Sequence, residues 1–206
     1  MGSAIGIGLL GLGTVGGGVA SILQSPSERH PLVADLKLVR VAVRDLNRPR
    51  SVELPNEILT TDPAVVVNDP AVDVVVEVIG GIEPARSLIL QAIAAGKSVV
   101  TANKAVIARH GEEIADAAAK AGVYVLIEAA VGGGIPIIEP LKQSLGGNRI
   151  NRVSGIINGT TNYILTRMAE EGAAYESVLK DAQELGYAEA DPAADVDGLD
   201  AADKIA

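Results

Sequence analysis

Short runs of apolar residues alternate with longer segments that are amphipathic or rich in alanine through the first 130 residues. One apolar run, DVVVEVI at 73–79, is nearly continuous, which is typical of a strand covered on both faces. The pattern predicts five strands and three helices, with strands at 5–10, 36–43, 73–79, 98–101 and 123–128 and helices at 14–23, 84–95 and 112–121. This alternation favours a parallel sheet that is wound on both sides by helices.

The pattern changes after residue 128. The segment AAVGGGIPII at 129–138 predicts a glycine-rich loop that leads into a helix. The elements predicted beyond this loop are a helix, a strand and three further helices, at 137–145, 149–157, 160–171, 174–185 and 198–206. We therefore expect an α/β domain with a doubly wound parallel sheet at 1–130, followed by an α+β domain at 131–206.

The composition is that of a folded protein, because 48% of the 206 residues are hydrophobic and 21% are charged. The 17 lysines and arginines are outnumbered by 26 aspartates and glutamates, which gives a net charge of −9. This acidic balance and the absence of Phe and Trp argue against a nucleic-acid partner, since such partners need basic surface and stacking rings. The absence of Cys excludes a thiol nucleophile, a thiolate metal site and a disulfide.

Membrane and export signals are also missing from the sequence. No stretch reaches the ~20 apolar residues that a membrane helix requires. The apolar start at 4–12 lacks the basic leader of a signal peptide. We therefore expect a cytoplasmic protein with no membrane partner.

The spacing Gly11-x-Gly13-x-x-Gly16 follows a predicted strand and opens a predicted helix, which is the context of a dinucleotide-binding turn. The first glycine allows the tight turn, the second lets a pyrophosphate approach the backbone, and the third lets helix and strand pack closely. Thr14 and Val15 occupy the first helical turn, whose N–H groups are donors for phosphate. The alternative is a glycine-rich turn with a structural role only.

The end of the second predicted strand bears on the choice of cofactor. An acidic residue there would accept hydrogen bonds from the adenine-ribose hydroxyl of NAD, whereas an arginine favours the 2′-phosphate of NADP. The sequence has Arg44 at this point and Asp45 directly after it. Arg44 favours NADP, and Asp45 leaves NAD as a possible second cofactor. A solvated basic loop is the structural alternative.

Two lysines are candidates for chemistry. Lys104 follows a predicted strand, and the carboxyl ends of strands face the ligand crevice in a doubly wound sheet. Its alternative is a surface lysine at the start of a helix. Asp200 and Lys204 are four residues apart and share one helix face, but on spacing alone an ordinary exposed ion pair is the favoured interpretation.

Seven segments together resemble the homoserine dehydrogenases, and they span nearly the whole chain in that family's order. These segments are GLLGLGTVGGGV (8–19), VAVRD (41–45), VVVEVIGG (74–81), TANKAVIA (101–108), EAAVGGGIPII (128–138), GIINGTTNYIL (155–165) and AQELGYAEADPAADVDGLDAADKIA (182–206). The last two are far more specific than the glycine spacing.

The resemblance implies a Rossmann nucleotide-binding domain followed by a substrate-binding domain that also forms a homodimer. It implies the NAD(P)-dependent interconversion of L-homoserine and L-aspartate 4-semialdehyde, on the route to threonine, methionine and isoleucine. Reduction of the aldehyde needs a hydride from the cofactor and a proton, which a protonated lysine can donate to the forming alkoxide. Chains of the family extend past the counterpart of Lys204, so the resemblance implies the amino-terminal part of a longer protein.

The resemblance also assigns roles to individual residues. Lys204 matches the lysine that donates and accepts the proton, and Lys104 matches a second lysine near substrate and cofactor. Glu189 and Asp200 match carboxylates that hold the amino end of the substrate and order the site. The other residues matched around the substrate are Tyr187, Thr160 and Asp195.

A cation site is implied as well. Glu128 and the backbone carbonyls of Val131, Gly133 and Ile135 match a site for a monovalent cation, usually sodium. Oxygen donors from one turning loop suit a hard cation.

Two other functions remain as alternatives. The glycine motif permits another nicotinamide-dependent enzyme that acts on amino acids, although the segment 182–206 argues against it. The abrupt end of the sequence at Ala206 is consistent with a catalytically silent fragment that binds NADP or forms a dimer.

Overall fold

The structure is a computed structural model that describes residues 4–27 and 29–206. This part of the chain forms two compact units, of which the first ends at Ile138 and the second begins at Glu139. Within the described residues, no helix combines the length and the apolar character that crossing a membrane would demand.

The first unit is built on a parallel sheet of six strands in the order β3-β2-β1-β4-β5-β6. The strands are β1 (Ile5–Leu10), β2 (Leu36–Ala42), β3 (Leu59–Thr60), β4 (Val74–Glu77), β5 (Ser98–Thr101) and β6 (Val125–Leu126). The helices of this unit are α1 (Thr14–Gln24), α2 (Pro63–Asn68), α3 (Ala85–Ala94), α4 (Lys104–Ala121) and α5 (Glu128–Val131), with short 3-10 helices at Pro31–Asp35 and Asn56–Ile58. The predicted doubly wound parallel sheet is confirmed.

Both faces of the sheet are covered, and β1 shows why the sequence requires this. Successive side chains of a strand point to opposite faces, and the neighbours Leu9 and Leu10 are both fully buried. Leu9 packs in one apolar cluster with Ala20 of α1, while Leu10 belongs to a second cluster that includes Ile89 of α3. A strand with two buried faces has an apolar run rather than an alternating pattern.

Helix α4 begins eight residues before the position that the sequence predicts. The Asn103 side chain accepts a hydrogen bond from the Val106 N–H and caps the first turn, so the helix begins at Lys104. Gly111 lies inside the helix. Gly122 caps the carboxyl end of the helix in the left-handed conformation, at φ +68°.

The regular secondary structure of the second unit is helical among the described residues. Its helices are α6 (Gly159–Glu171), α7 (Tyr175–Glu184), α8 (Ala193–Val196) and α9 (Leu199–Ile205), preceded by a π-helical turn at Pro140–Ser144. Ile164, Val178 and Ala182 form the centre of its apolar core.

The strand predicted at 149–157 is wrong. These residues form no sheet, and the apolar side chains among them are exposed, with Ile156 75% and Val153 62% accessible. A strand is stable only when its backbone groups pair with a neighbour, and the described part of the second unit offers none. The strand predicted at 123–128 is also shorter than expected, because β6 pairs with β5 alone at the edge of the sheet.

Candidate functional site

The strand order creates a crevice at the carboxyl ends of β1 and β4. The chain leaves β1 toward β2 on one side and leaves β4 toward β5 on the other, so the winding direction reverses between β1 and β4. Ligands bind at such a reversal in open α/β sheets. The loop after β1 contains Gly11, Gly13 and Gly16, and the loop after β4 contains Gly80 and Gly81.

The three glycines of the first loop meet different structural demands. Gly11 has φ +102°, a conformation that other residues rarely adopt, and a Cβ on Gly16 would lie 2.1 Å from the Gly11 carbonyl oxygen. A Cβ on Gly13 would meet no described protein atom within 4 Å. Gly13 is also the N-cap of α1 and has no side chain with which to cap the first-turn N–H groups of Thr14 and Val15. The loop therefore fits a pyrophosphate.

The loop after β2 is folded onto itself beside Arg44. The Asp45 carboxylate accepts the Asn47 N–H at 2.8 Å. The Arg50 guanidinium donates to the backbone carbonyls of Arg48, at 2.9 Å, and of Asp45. Asp45 is thus engaged in its own turn, whereas Arg44 lies on the exposed side of the strand end. An exposed guanidinium at this point is a group that can bind a phosphate.

A buried hydrogen-bond relay joins the ends of β4 and β5, and sequence reasoning missed it. Glu77 is fully buried, and its carboxylate accepts the Thr101 hydroxyl at 2.6 Å and the Ile79 N–H at 2.8 Å. The Thr101 hydroxyl oxygen accepts the Asn103 N–H at 3.0 Å, and the Asn103 amide donates to the Gly81 carbonyl at 2.7 Å. The sequence signal for it was Glu77, an acidic residue in the middle of the apolar run 74–79.

This relay fixes the loop that precedes Lys104. Lys104 is the first residue of α4 and is half-buried, directly after the capping residue Asn103. Its position at the carboxyl end of β5 agrees with the sequence expectation of a lysine at the ligand edge of the sheet.

The second unit brings three of the predicted residues together. The Lys204 ammonium donates to the Asp200 carboxylate and to the Ile157 carbonyl, both at 2.6 Å. The Asn158 amide nitrogen donates to Asp200 at 2.8 Å and to Asp195 at 2.7 Å. The Asp200 side chain is 10% exposed and that of Lys204 is 20% exposed, so the pair is not the exposed surface pair that its spacing alone favoured.

Asn158 is the residue of this cluster that sequence reasoning missed. It precedes α6 and caps that helix by accepting the Thr161 N–H at 2.8 Å. An asparagine before a helical pattern is a capping signal, but nothing in its spacing to residues 195 and 200 indicates the two carboxylates that it also bonds.

A pocket of about 410 Å³ lies in the same unit and is lined by Gly159, Thr160, Tyr163, Gly186 and Tyr187. The Thr160 hydroxyl donates to the Tyr187 carbonyl at 2.7 Å, which ties the start of α6 to the turn after α7. The Tyr163 and Tyr187 rings lie 5.0 Å apart. Glu189 follows on the exposed part of that turn, where its carbonyl accepts a hydrogen bond from Gln183. The structure therefore brings Thr160 and Tyr187 to one pocket.

The loop after β6 closes around Glu128. The Glu128 carboxylate accepts the N–H groups of Ile137, at 2.5 Å, and Ile138, at 2.9 Å. Val131, Gly133 and Ile135 lie within the turn that this contact encloses. A carboxylate beside a turning backbone provides oxygen donors, the kind that a hard cation takes. Among the described residues, no group of three or more His, Asp or Glu side chains is arranged to hold a metal ion.

The strand order and the three glycines together define a dinucleotide-binding domain of the Rossmann class. Two family descriptions match the chain: "Homoserine dehydrogenase, NAD binding domain" over residues 11–128 and "Homoserine dehydrogenase" over residues 136–206. The chain belongs to the homoserine dehydrogenase family, which is a family of oxidoreductases.

Individual relatives agree with this assignment. The homoserine dehydrogenase of Synechocystis sp. is 68% identical over 97% of this chain and 46% of its own length, and that of Bacillus subtilis is 49% identical over 98% and 47%. The crystal structure of a homoserine dehydrogenase from Thiobacillus denitrificans matches with a TM-score of 0.84 at 51% identity, over 98% of this chain and 47% of that one. A hyperthermophilic archaeal homoserine dehydrogenase in complex with NADPH matches with a TM-score of 0.82 at 28% identity, over 97% and 67%. The chain spans about half the length of the curated relatives that it matches.

Proposed function

We propose that this chain carries the nucleotide-binding and substrate-binding residues for the NADP-dependent interconversion of L-homoserine and L-aspartate 4-semialdehyde. The observation that carries the proposal is the cluster in which Lys204 is held by Asp200, in a chain that also has the three-glycine turn. Through this reaction the protein would take part in the formation of threonine, methionine and isoleucine.

NADP is the proposed cofactor, with NAD accepted less well. Gly11, Gly13 and Gly16 shape the turn for the pyrophosphate, and the first-turn N–H groups of α1 face it. Arg44, exposed at the end of β2, contacts the 2′-phosphate through its guanidinium group. A nicotinamide cofactor bound there would supply or take up the hydride at the substrate carbon. The related archaeal enzyme was solved with NADPH.

Lys204 is the proposed acid–base residue. The protonated Lys204 donates a proton to the oxygen of the semialdehyde during reduction, and the neutral amine takes a proton from the homoserine hydroxyl during oxidation. Before the proton leaves, the positive charge stabilises the developing alkoxide. Asp200 and the Ile157 carbonyl hold the Lys204 nitrogen by two hydrogen bonds of 2.6 Å.

The remaining proposed contacts surround the substrate. Glu189 holds the ammonium end of the substrate by charge, and Lys104 lies near the substrate and the cofactor. Thr160, Tyr187 and Asp195 complete the site, in line with the pocket that Thr160 and Tyr187 line.

A monovalent cation, most simply sodium, is the proposed occupant of the loop around Glu128. The carbonyls of Val131, Gly133 and Ile135 and the Glu128 carboxylate are its ligands. The cation would stabilise the loop and would not touch the substrate. We also propose that the protein is a cytoplasmic homodimer whose contact is formed by the second unit.

The test is turnover. Purified protein is mixed with L-homoserine and NADP, and the formation of NADPH is followed by absorbance. The proposal predicts a homoserine-dependent rate that L-aspartate does not support. A rate with L-aspartate and none with homoserine would instead indicate an amino-acid dehydrogenase that acts on a C–N bond.

A second candidate function is a catalytically silent domain that binds NADP or forms a dimer. The observation that favours it is the span of the chain, which matches 46–47% of its curated relatives. Tight NADP binding by calorimetry without turnover of homoserine would support this candidate over the first.

A further inference from the structure

We infer that Asn158 is a positioning residue for the proposed reaction, because its side-chain amide holds Asp200 and, through Asp200, the Lys204 ammonium group. The inference rests on the proposed function. It assigns to Asn158 a role that goes beyond capping a helix.

Every hydrogen-bonding position of the Asn158 side chain is used. The two N–H bonds of its amide point to Asp195 at 2.7 Å and to Asp200 at 2.8 Å. Its oxygen accepts the Thr161 N–H at 2.8 Å and the Thr161 hydroxyl at 2.9 Å. The residue is 9% exposed. A side chain with two donors and two acceptors fully engaged has one rotamer and one amide orientation.

The chemistry of the cluster explains why an amide stands at this position. Asp195 and Asp200 are both acidic, and an amide with two N–H donors can bond both without adding a negative charge. A hydroxyl has one donor, and a carboxylate has none and would repel the other two. Among the residue types of similar size, only asparagine meets these requirements.

The same contacts restrict Lys204. One oxygen of Asp200, Oδ2, accepts both the Asn158 amide and the Lys204 ammonium. The Lys204 ammonium also donates to the carbonyl of Ile157, the residue directly before Asn158. The segment 157–158 thus bonds α9 at two points, through the Ile157 carbonyl to Lys204 and through the Asn158 amide to Asp200. Loss of the amide would remove one of the hydrogen bonds that hold the Asp200 carboxylate in place and would shift the lysine bonded to it.

The experiment separates this role from helix capping. Asn158→Asp and Asn158→Ser both keep a good N-cap for α6, yet neither can donate to two carboxylates. We expect kcat for homoserine oxidation to fall about 10- to 100-fold in each, as a small misplacement of a reacting group does, with the KM for NADP unchanged. The control is Asp62→Ala, which removes an equivalent cap from α2 in the first unit and should leave kcat unchanged.

A measurement of kcat in the Lys204→Ala protein distinguishes a positioning role from a purely structural one. In Lys204→Ala protein, adding Asn158→Ser should lower kcat much less than it does in the unaltered protein, because the main effect of Asn158 passes through the lysine. An equal fall of kcat in both backgrounds, or an unchanged kcat in the single variants, would overturn the inference.

Nuclear magnetic resonance of the resting protein tests the contact without turnover. The ¹⁵N-labelled Lys204 ammonium, held by two hydrogen bonds, should give a resolved signal at low temperature that is lost in Asn158→Ser. An unchanged signal would overturn the inference. Absence of turnover in the unaltered protein would overturn the proposed function and the positioning role with it, while the signal would still report whether Asn158 holds the lysine.

Discussion

Individual residues in this protein derive their roles from hydrogen bonds with residues that are distant in the sequence. Asp200 and Lys204 look like an ordinary helical pair by spacing, but Asn158, 42 residues before Asp200, holds that carboxylate in a largely buried position. Glu77 interrupts an apolar strand because Thr101 and the Ile79 backbone satisfy its carboxylate. A buried charge is tolerated only when such partners are present.

Cofactor preference should depend on Arg44. Arg44→Ala removes a charge-assisted contact to the 2′-phosphate, a type of contact worth roughly 1.5–3 kcal/mol. The dissociation constant for NADP should rise accordingly, while that for NAD changes little. Calorimetric titration of both cofactors measures this, with Arg48→Ala on the same loop as the control. Equal losses for NADP and NAD would show that Arg44 does not discriminate between them.

The sequence predicted the positions of most helices and strands, and their bounds differ where an element depends on contacts with distant residues. The bounds of β1 and β5 match the predicted ones, whereas the apolar run at 73–79 forms a strand only at Val74–Glu77, because the run continues into the loop after β4. Helix α4 was predicted too short, since its start depends on the Asn103 cap rather than on periodicity. The pattern at 149–157 suits a strand, but sheet pairing depends on a distant neighbour that the pattern does not specify.

In the candidate site, too, the features set by local sequence were predicted and those set by distant contacts were not. Strand–turn–helix context located the glycine turn, and its geometry supports a pyrophosphate. Side-chain contacts between residues 24 to 42 positions apart, such as those of Glu77 and Asn158, depend on tertiary structure. Hydrophobic periodicity contains no information about them.

The relay between β4 and β5 should stabilise the sheet. Thr101→Val keeps the shape of the side chain but removes the hydroxyl that the buried Glu77 carboxylate needs, and leaving a buried charged group short of a partner costs about 1–3 kcal/mol or more. Denaturant unfolding should show this loss, and Thr101→Ser, which keeps the hydroxyl, should be closer to the unaltered protein. Equal stability of the Val and Ser variants would refute a role for the hydrogen bond.

The amino-terminal end of the sheet contains an acid-sensitive contact. The Ala71 N–H bonded to Asp69, with Arg40 and Lys97 nearby, lowers the pKa of the Asp69 carboxyl below its ordinary value. A lowered pKa in the folded state means that the stabilisation is present above the unfolded pKa and is lost as the pH falls through the folded pKa.

Asp69→Asn should therefore lower the melting temperature at pH 7, because it retains an acceptor for Ala71 but loses the charge. The difference between variant and unaltered protein should shrink as the pH falls below about 4. Melting curves across pH measure this. A difference that is constant from pH 7 down to pH 2 would contradict the role of the charge.

At the scale of the whole molecule, the proposed monovalent cation would bind in the loop around Glu128, at the end of the first unit and directly before the second unit in the sequence. Replacing sodium by a bulky organic cation at equal ionic strength should lower the melting temperature by a few degrees, since a ligand that binds only the folded state stabilises it. Glu128→Gln, which keeps an acceptor for the Ile137 and Ile138 N–H groups, should abolish this dependence on sodium. An unchanged melting temperature in both salts would refute the cation site.

The central claim is that Lys204 transfers the proton in homoserine oxidation, and the most direct measurement is kcat of Lys204→Ala with L-homoserine and NADP. The account predicts a fall of about 10²–10⁴-fold, the usual contribution of a positioned general acid–base group. NADP affinity should stay the same, because the glycine turn is untouched, and the KM for homoserine should change much less than kcat. A near-normal kcat in Lys204→Ala would contradict the account and would move the proton transfer to Lys104 or to a bound water.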